Sequence, residues 1–348
     1  MFFNDLIFIF ILICYSYIQN RFLLYIFNKN KLSFLSDNNF IKPQAFHEHS
    51  TYRLGGVAIF APLLLTCLYL YAYKNIFYFE FLSFCSLFFI LGILDDLKIE
   101  IRPKFRLLIM ILFLSVLIIK NEIYLEKTGF EFLNNLLEID IFSLIFISLC
   151  FLFIINGSNL IDGFNGLLSI HSLIIFIVLF FINLINETND ITYILFCTSI
   201  LMIIFIKFNF PKAKMFLGDS GAYLTGAFIA ISVIQTSILN PNISPLFFCI
   251  LLFYLFFEVF FSFFRKLLVA RQSPLLPDNQ HLHMKIYKFL LTKKFSKAKA
   301  NYTTSIYINF AYLLLITPGI IFLENNFFCK YYFLILLLVY IYFYRKIK

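Results

Sequence analysis

Long apolar runs constrain this chain more than any other feature of its sequence. A run of about 18 or more apolar residues is a candidate transmembrane helix, and a scan for such runs gives eleven segments. A soluble domain carries about 25% charged residues, whereas this chain is 14% charged and 61% hydrophobic. The sequence therefore predicts an all-α integral membrane protein with about eleven transmembrane helices. The predicted helices are 3–27, 54–73, 76–94, 105–120, 140–156, 166–186, 191–208, 221–239, 243–264, 304–323 and 328–345.

Lysine and arginine are unevenly divided between the two sides of these helices. Of the 28, 23 fall in loops 28–53, 95–106, 207–220 and 265–303 and in the tail 345–348. Because basic residues accumulate in cytoplasmic loops, we expect a periplasmic N-terminus and a cytoplasmic C-terminus. The net charge of +9 then belongs to one face, where it suits anionic lipid headgroups or phosphorylated substrates. Nothing suggests a nucleic-acid partner.

The chain is predicted to form one membrane domain over residues 1–348, since it contains no internal repeat or low-complexity linker. The polar motifs lie in a core at 52–283, which overlaps a cytoplasmic loop at 265–303, and two terminal helices follow at 304–345. The seven cysteines lie in or beside apolar segments and form no CxxC pair, which favours a structural role over zinc or redox chemistry.

Two adjacent aspartates, Asp95 and Asp96, follow the third apolar segment, and the cations Lys104 and Arg106 come within ten or eleven residues. On these residues alone, two interpretations are equally open. The acids could simply end a helix at the membrane surface, where charge costs little. They could instead hold a hard divalent cation, because Mg²⁺ binds one or two carboxylates together with substrate phosphates. The cations would then bind those phosphates.

The stretch "NGSNLIDGFNG" (156–166) places Asn156, Asn159 and Asp162 at three-residue spacing between two apolar segments. Asn, Asp and Gly are common in turns, so a plain cytoplasmic loop is one interpretation. On a helical turn, however, these three side chains would lie on one face. The spacing favours a polar wall for a substrate.

In "FLGDSG", Asp219 lies between Gly218 and Gly221 just before a predicted helix. Asp is a preferred N-cap residue, and a helix N-terminus also attracts anions. Capping and metal binding are compatible here.

His281 and His283 form the motif "HLH", downstream of Arg265 and Arg271. Zinc is disfavoured because neither a cysteine nor a third histidine is nearby. We expect these side chains to be donors to phosphate oxygens. Glu258, inside an apolar segment, is expected to pair with a loop cation or to hold the site together.

Together and in this order, these motifs resemble the polyprenyl-phosphate N-acetylhexosamine-1-phosphate transferases, the MraY/WecA type of glycosyltransferase family 4. Eleven helices and an external N-terminus resemble the branch outside peptidoglycan synthesis, and so does Met284, where the muramoyl-pentapeptide enzymes have a further histidine. The matching stretches are "YRLGGVAIF" (52–60), "GILDDL" (92–97), "NGSNLIDGFNGLLS" (156–169), "FPKAKMFLGDSGAYLTG" (210–226) and "SPLLPDNQHLH" (273–283).

The resemblance implies a reaction, a cofactor and a location. An N-acetylhexosamine 1-phosphate would pass from a UDP-sugar to undecaprenyl phosphate with release of UMP, as the first membrane step of O-antigen or another cell-surface polysaccharide. Mg²⁺ would be required, with Mn²⁺ as the alternative. The location implied is the bacterial inner membrane, and a homodimer is left open.

The resemblance also implies roles for individual residues. Asp219 corresponds to the magnesium-binding aspartate, and Asp95 and Asp96 correspond to paired aspartates proposed as base and as phosphate or metal organisers. Asn159 and Asp162 match the nucleotide-pocket loop, and Phe216 stands where an aromatic ring stacks on uracil. The loop that contacts the sugar or the phosphates is matched by Arg265, Arg271, His281 and His283.

One departure from the family pattern leaves alternatives open. Ile99 stands where the pattern has an acid or amide, so a non-catalytic relative is one alternative. A cation-coupled transporter or flippase is the alternative from another class, and it would predict charged residues at mid-bilayer on several helices or paired broken helices.

Overall fold

The computed structural model describes residues 3–30, 35–37, 51–99, 101–125, 127–271, 273 and 278–347. Its helices are α1 (Phe3–Asn30), α2 (Gly55–Lys74), α3 (Phe79–Asp96), α4 (Pro103–Lys120), α5 (Glu131–Leu137), α6 (Asp140–Ile161), α7 (Leu167–Ile185), α8 (Asn189–Asn209), α9 (Gly218–Leu239), α10 (Pro245–Leu251), α11 (Phe253–Phe264), α12 (Leu282–Thr292), α13 (Lys297–Ile321) and α14 (Asn326–Lys346). A π-helical turn, Arg265–Ala270, continues α11.

Each of the eleven predicted segments is helical, and 243–264 is divided between α10 and α11, which meet at a 76° bend. Among the described residues, eight helices are long and apolar enough to cross a membrane, or nine if the bent pair forms one span. The helices α3 and α4 have only 18 residues each and carry charged residues near their ends. The protein is thus an all-α multi-pass membrane protein in outline, and the count of eleven spans stays a prediction.

Helix α9 lies at the centre of the molecule and packs against α2, α3, α6 and α7. Small residues allow helices in a membrane to approach closely, and two glycines show this here. A Cβ at Gly92 would lie 2.4 Å from Ser220 Cα, and one at Gly226 would lie 2.8 Å from Ile155 Cα. The backbones of α3 and α6 therefore contact α9 directly, which brings the polar ends of both helices to the start of α9.

A three-stranded sheet that the sequence did not predict lies at this same end. It consists of β1 (Ser36–Asp37), β2 (Thr51–Arg53) and β3 (Met215–Phe216), with β1 antiparallel and β3 parallel to β2. Strands of two or three residues are too short to show an alternating pattern. The pairing of Arg53 with Phe216 places that arginine beside the start of α9.

A separate ion pair joins α1 to α2 at the opposite end. Lys74 Nζ lies 3.2 Å from Asp5 Oδ1, and the hydroxyl of Tyr69 donates to the same carboxylate at 2.8 Å. The polar motifs of the sequence are thus gathered at one end of the bundle. Which compartment that end faces is predicted from the distribution of positive charge alone.

Replacing Gly92 by Ala should separate α3 from α9. The new methyl would meet backbone, which cannot rotate away, so we expect a loss of about 1–3 kcal/mol in the free energy of unfolding. Thermal unfolding in detergent measures it. Gly319→Ala is the matched control, because the nearest atom to its Cβ is the side-chain Cγ2 of Ile250 at 3.0 Å. Equal stability of Gly92→Ala and wild type would contradict the close contact.

Candidate active site

Asp96 ends α3 and binds the first turn of α9 through both carboxylate oxygens. The backbone N–H of Asp219 donates to Oδ1 at 3.0 Å, and the backbone N–H and the hydroxyl of Ser220 donate to Oδ2 at 2.9 and 2.6 Å. The first N–H groups of a helix have no partner within it, and they favour a negative charge. Asp96 is 1% exposed, so its observed contacts are those of a residue that holds α3 on α9. Its predicted role in catalysis and metal binding stays a prediction.

Asp219 lies in the first turn of α9, one residue after the helix begins. Asn159 Nδ2 donates to its Oδ1 at 2.6 Å, and an Arg53 guanidinium nitrogen donates to its Oδ2 at 3.1 Å. The side chain of Asp219 is 28% exposed, so a ligand can reach it. Asp219 is not the N-cap, because Leu217 occupies that position.

The sequence analysis missed Arg53 as a site residue. Its guanidinium lies between two acids, 3.1 Å from Asp219 Oδ2 and 3.4 Å from Asp96 Oδ1. The available signal was its place in the matching stretch "YRLGGVAIF", two residues before paired glycines. The contact itself depends on the pairing of β2 with β3, which joins residues more than 160 positions apart.

Asp95, the neighbour of Asp96, contacts α4 and α9. An Arg106 guanidinium nitrogen donates to its Oδ2 at 2.7 Å, and the guanidinium carbon lies 5.9 Å from the ring centre of Tyr223. The Asp95 side chain is 11% exposed. Arg106 thus lies beside the acids, whereas Lys104 is exposed and lines an open groove with Ile101 and Phe105. The expected contacts of both cations with phosphates stay predictions.

Asn156 and Asn159 belong to the last turns of α6 rather than to a loop, because α6 continues to Ile161. The predicted helix ended at 156, so the loop prediction was wrong for Asn159, and both asparagines lie on the helical turns that their spacing suggested. Asn156 Nδ2 donates to the carbonyl of Leu152 in its own helix at 2.8 Å, while Asn159 binds Asp219. Asp162 follows the helix and accepts a hydrogen bond from the backbone N–H of Gly218.

The carboxylates at this end of the bundle carry more negative charge than the described cations neutralise. Burial, and then the charge of Asp219, raise the pKa of Asp96 to about 6, and the same causes raise the pKa of Asp162 well above its usual value. Burial also raises the pKa of Asp95. Four carboxylates thus face the guanidinium groups of Arg53 and Arg106, and a further cation would stabilise their ionised forms.

The donor set at this end fits Mg²⁺. Within the described ranges, no group of three or more His, Cys, Asp or Glu side chains surrounds a single point. Mg²⁺ does not need such a group, because it binds to one or two carboxylates and fills its remaining positions with water and substrate phosphates. Asp219 and Asp95 are partly exposed, at 28% and 11% of their side chains, and would hold the ion.

A second polar cluster surrounds His281. Its Nδ1 lies 3.0 Å from Glu258 Oε1, its Nε2 lies 3.2 Å from Asp278 Oδ1, and Arg265 donates to Asp278 Oδ2 at 2.6 Å. Glu258 was expected to pair with a loop cation or to hold the site together, and it contacts His281, the backbone N–H of Leu282 and the hydroxyl of Tyr340. Arg271, by contrast, is exposed, with a left-handed backbone.

His283 does not lie at the surface of the protein. It is fully buried, and its Nδ1 lies 3.1 Å from the hydroxyl of Tyr254. Burial lowers the pKa of His283 to about 3, so its ring is neutral at physiological pH. His281 is 2% exposed. In this arrangement neither ring is available as a surface donor, and the expected phosphate contacts stay predictions.

Two aromatic residues lie beside these clusters. The ring of Phe164, two residues after Asp162, meets the edge of His283 at a centroid distance of 5.6 Å. Phe216 is half-buried in β3 opposite Arg53. Residues from five of the predicted site stretches thus meet at one end of the bundle.

Comparison with known proteins agrees with this arrangement. Residues 78–237 match the family described as glycosyl transferase family 4. The match covers 160 of the 348 residues, and over this region the chain is similar to that family. The matched region contains Asp95, Asp96, Asn159, Asp162 and Asp219, whereas Arg53 and the His281 cluster lie outside it.

Curated proteins similar to this chain have two kinds of name. It is 28% identical over 240 residues to the undecaprenyl-phosphate alpha-N-acetylglucosaminyl 1-phosphate transferase of Thermotoga maritima, covering 68% of each chain. It is 27% identical over 258 residues to a probable undecaprenyl-phosphate N-acetylglucosaminyl 1-phosphate transferase of Bacillus subtilis, covering 72% of this chain and 69% of the relative. A phospho-N-acetylmuramoyl-pentapeptide-transferase of Prochlorococcus marinus is 31% identical over 209 residues, which span 57% of its length and 55% of this chain.

The different contacts of Asp96 and Asp219 predict different effects of neutralising them. Asp96→Asn should lower the free energy of unfolding by about 1–3 kcal/mol, because the N–H groups of α9 lose a charged acceptor in a buried position. Asp219→Asn should leave stability close to wild type, since its carboxylate is partly exposed and adds repulsion to its neighbours. Thermal unfolding of both variants without substrate tests this. A larger loss for Asp219→Asn would contradict the assignment.

Proposed function

We propose that this protein transfers an N-acetylhexosamine 1-phosphate from a UDP-sugar to undecaprenyl phosphate and releases UMP. The observation that carries this proposal is the partly exposed carboxylate of Asp219, which Asn159 and Arg53 hold at the N-terminus of α9. The names of the Thermotoga and Bacillus relatives support undecaprenyl phosphate as the acceptor. They also make N-acetylglucosamine the first donor sugar to test.

The chemistry joins two anions. An oxygen of the lipid phosphate attacks the phosphorus that carries the sugar, a new P–O bond forms, and the bond to the UMP oxygen breaks, so that UMP leaves with the electron pair. A phosphate monoester has a second pKa of about 6, and the nucleophile is largely dianionic at neutral pH. Catalysis then depends on positioning and on stabilising charge more than on a general base.

The residues of the site would divide these tasks. Arg53 and Arg106 would exchange their aspartate partners for phosphate oxygens, which accept hydrogen bonds from guanidinium groups in the same way. Asn159 keeps the carboxylate of Asp219 oriented. When bound at Asp219 and Asp95, Mg²⁺ would screen the charge of the pyrophosphate and of the departing UMP. Asp95 and Asp96 act as organisers first and as bases second.

The position of the site at the end of the helix bundle suits a lipid substrate. The acids lie at the ends of α3 and α9, so a polyprenyl chain can remain along the apolar helices while its phosphate reaches them. The distribution of positive charge favours the cytoplasmic face of a bacterial inner membrane. We propose that the product starts a cell-surface polysaccharide such as O-antigen.

Release of UMP by the purified protein tests this function. The assay supplies undecaprenyl phosphate and a panel of UDP-N-acetylhexosamines, with Mg²⁺ and then with EDTA. We expect release with one donor, its loss with EDTA, and a fall of about 100-fold or more in Asp219→Asn, because charge stabilisation in the transition state is lost. Asp140→Asn is the control, since Asp140 is exposed in the first turn of α6, far from that helix's site end.

Two outcomes would contradict the proposal. Undiminished release of UMP by Asp219→Asn would show that Asp219 takes no part in the reaction. Movement of lipid or solute across proteoliposomes, with no UMP released by folded wild-type protein, would favour the transporter or flippase.

Arg53→Gln tests the arginine that sequence analysis missed. Glutamine keeps a donor but no charge, so we expect the KM for the UDP-sugar to rise about tenfold or more, as for a lost hydrogen bond to a charged group. Steady-state kinetics measure this, and Lys212→Gln is a control with an exposed lysine on the same side. An unchanged KM and kcat would show that Arg53 only neutralises the acids.

A further inference from the structure

The last helix of the protein contacts the histidine segment, which we define as residues 278–285. The hydroxyl of Tyr340 in α14 donates to Glu258 Oε2 at 2.5 Å. The other oxygen of Glu258 accepts from the backbone N–H of Leu282 at 3.0 Å and contacts His281 Nδ1 at 3.0 Å. Tyr340 and Glu258 are 4% and 1% exposed. One buried carboxylate therefore joins α14 to the segment.

A second set of contacts lies one helical turn further along α14. The hydroxyl of Tyr344 donates to the carbonyl of Gln280 at 2.8 Å, and Lys285 Nζ donates to the carbonyl of Tyr344 at 2.6 Å. The same ammonium lies 4.2 Å from the ring centre of Tyr344. Residues four apart share a face of a helix, so one face of α14 holds the segment on both sides of His281.

The contacts of His281 connect the histidine segment to the end of α11. Both ring nitrogens face carboxylate oxygens, of Glu258 at 3.0 Å and of Asp278 at 3.2 Å. Asp278 in turn binds Arg265. Close polar contacts thus run from Tyr340 through Glu258, His281 and Asp278 to Arg265, the first residue after α11.

We propose that α14 fixes the position of the histidine segment for the transfer reaction, with Tyr340 and Tyr344 as positioning residues. The proposal rests on the proposed function, because turnover is one of its readouts. Tyr340 orients Glu258, and Glu258 orients His281 and the first backbone N–H of α12. A displacement of about 1 Å can cost up to about 100-fold in rate, so the loss of one hydroxyl far from the reacting atoms can slow the enzyme.

The test uses the full-length protein in detergent or nanodiscs, with UDP-N-acetylglucosamine, undecaprenyl phosphate and Mg²⁺. We expect Tyr340→Phe to lower kcat at least about tenfold. Combined with His281→Gln, it should lower kcat no further than His281→Gln alone, because both residues act through one chain of contacts. Tyr344→Phe, which loses a hydrogen bond at the surface and should fold normally, is expected to lower kcat in the same direction by less. Tyr331→Phe, at an exposed tyrosine of the same helix, is the control.

Hydrogen exchange provides a readout that needs no turnover. Tyr340→Phe should increase exchange at the Leu282 amide and its neighbours in the segment, while exchange in α3 and α9 stays as in wild type. Exchange at the wild-type rate in the segment would overturn the proposal, and so would faster exchange with an unchanged kcat. A kcat of the double variant that falls by the product of the two single losses would also overturn it. If wild-type protein releases no UMP with any donor, the proposed function fails while exchange still decides whether α14 holds the segment.

Discussion

The contact between the carboxylate of Asp96 and the first turn of α9 supports the rest of the site. Three donors of that turn converge on one buried acid, and Gly92, one turn earlier in α3, removes the side chain that would keep the helices apart. Because Asp96 occupies these N–H groups, Asp219 is left with its carboxylate directed to Asn159 and Arg53. Asp96, one of the two adjacent aspartates predicted to be catalytic, thus also holds α3 against α9.

Much of the fold followed from the sequence because apolar runs and motif glycines are local signals. The helical segments were placed within a few residues, except that α6 continues to Ile161, that α13 begins at Lys297 rather than at 304, and that 243–264 bends by 76° between α10 and α11. The roles of Arg53 and Tyr340 could not be predicted, since both depend on contacts between distant parts of the chain. The burial of His283 could not be predicted for the same reason. The motif "HLH" is polar in sequence, and His283 is buried by residues distant in the chain, among them Tyr254 and Phe164.

The two polar clusters differ in their balance of charge. Around Asp219, four acids face the guanidinium groups of Arg53 and Arg106, so the cluster would bind a cation and, through it, phosphates. Around His281, both acids, Glu258 and Asp278, contact the imidazole, and Asp278 also contacts Arg265 and, at 3.7 Å, Lys266. The first cluster is suited to chemistry, and the second to holding a loop in place. Phe164 connects them through its contact with His283.

We propose that the carboxylate of Asp219 holds a divalent ion against the diphosphate of the donor. Pulsed electron paramagnetic resonance of Mn²⁺ with the purified protein and UDP-N-acetylglucosamine tests this without turnover. We expect ³¹P hyperfine coupling on protein-bound Mn²⁺ that disappears in Asp219→Asn and persists in Asp140→Asn. Bound Mn²⁺ with the same coupling in Asp219→Asn would contradict it.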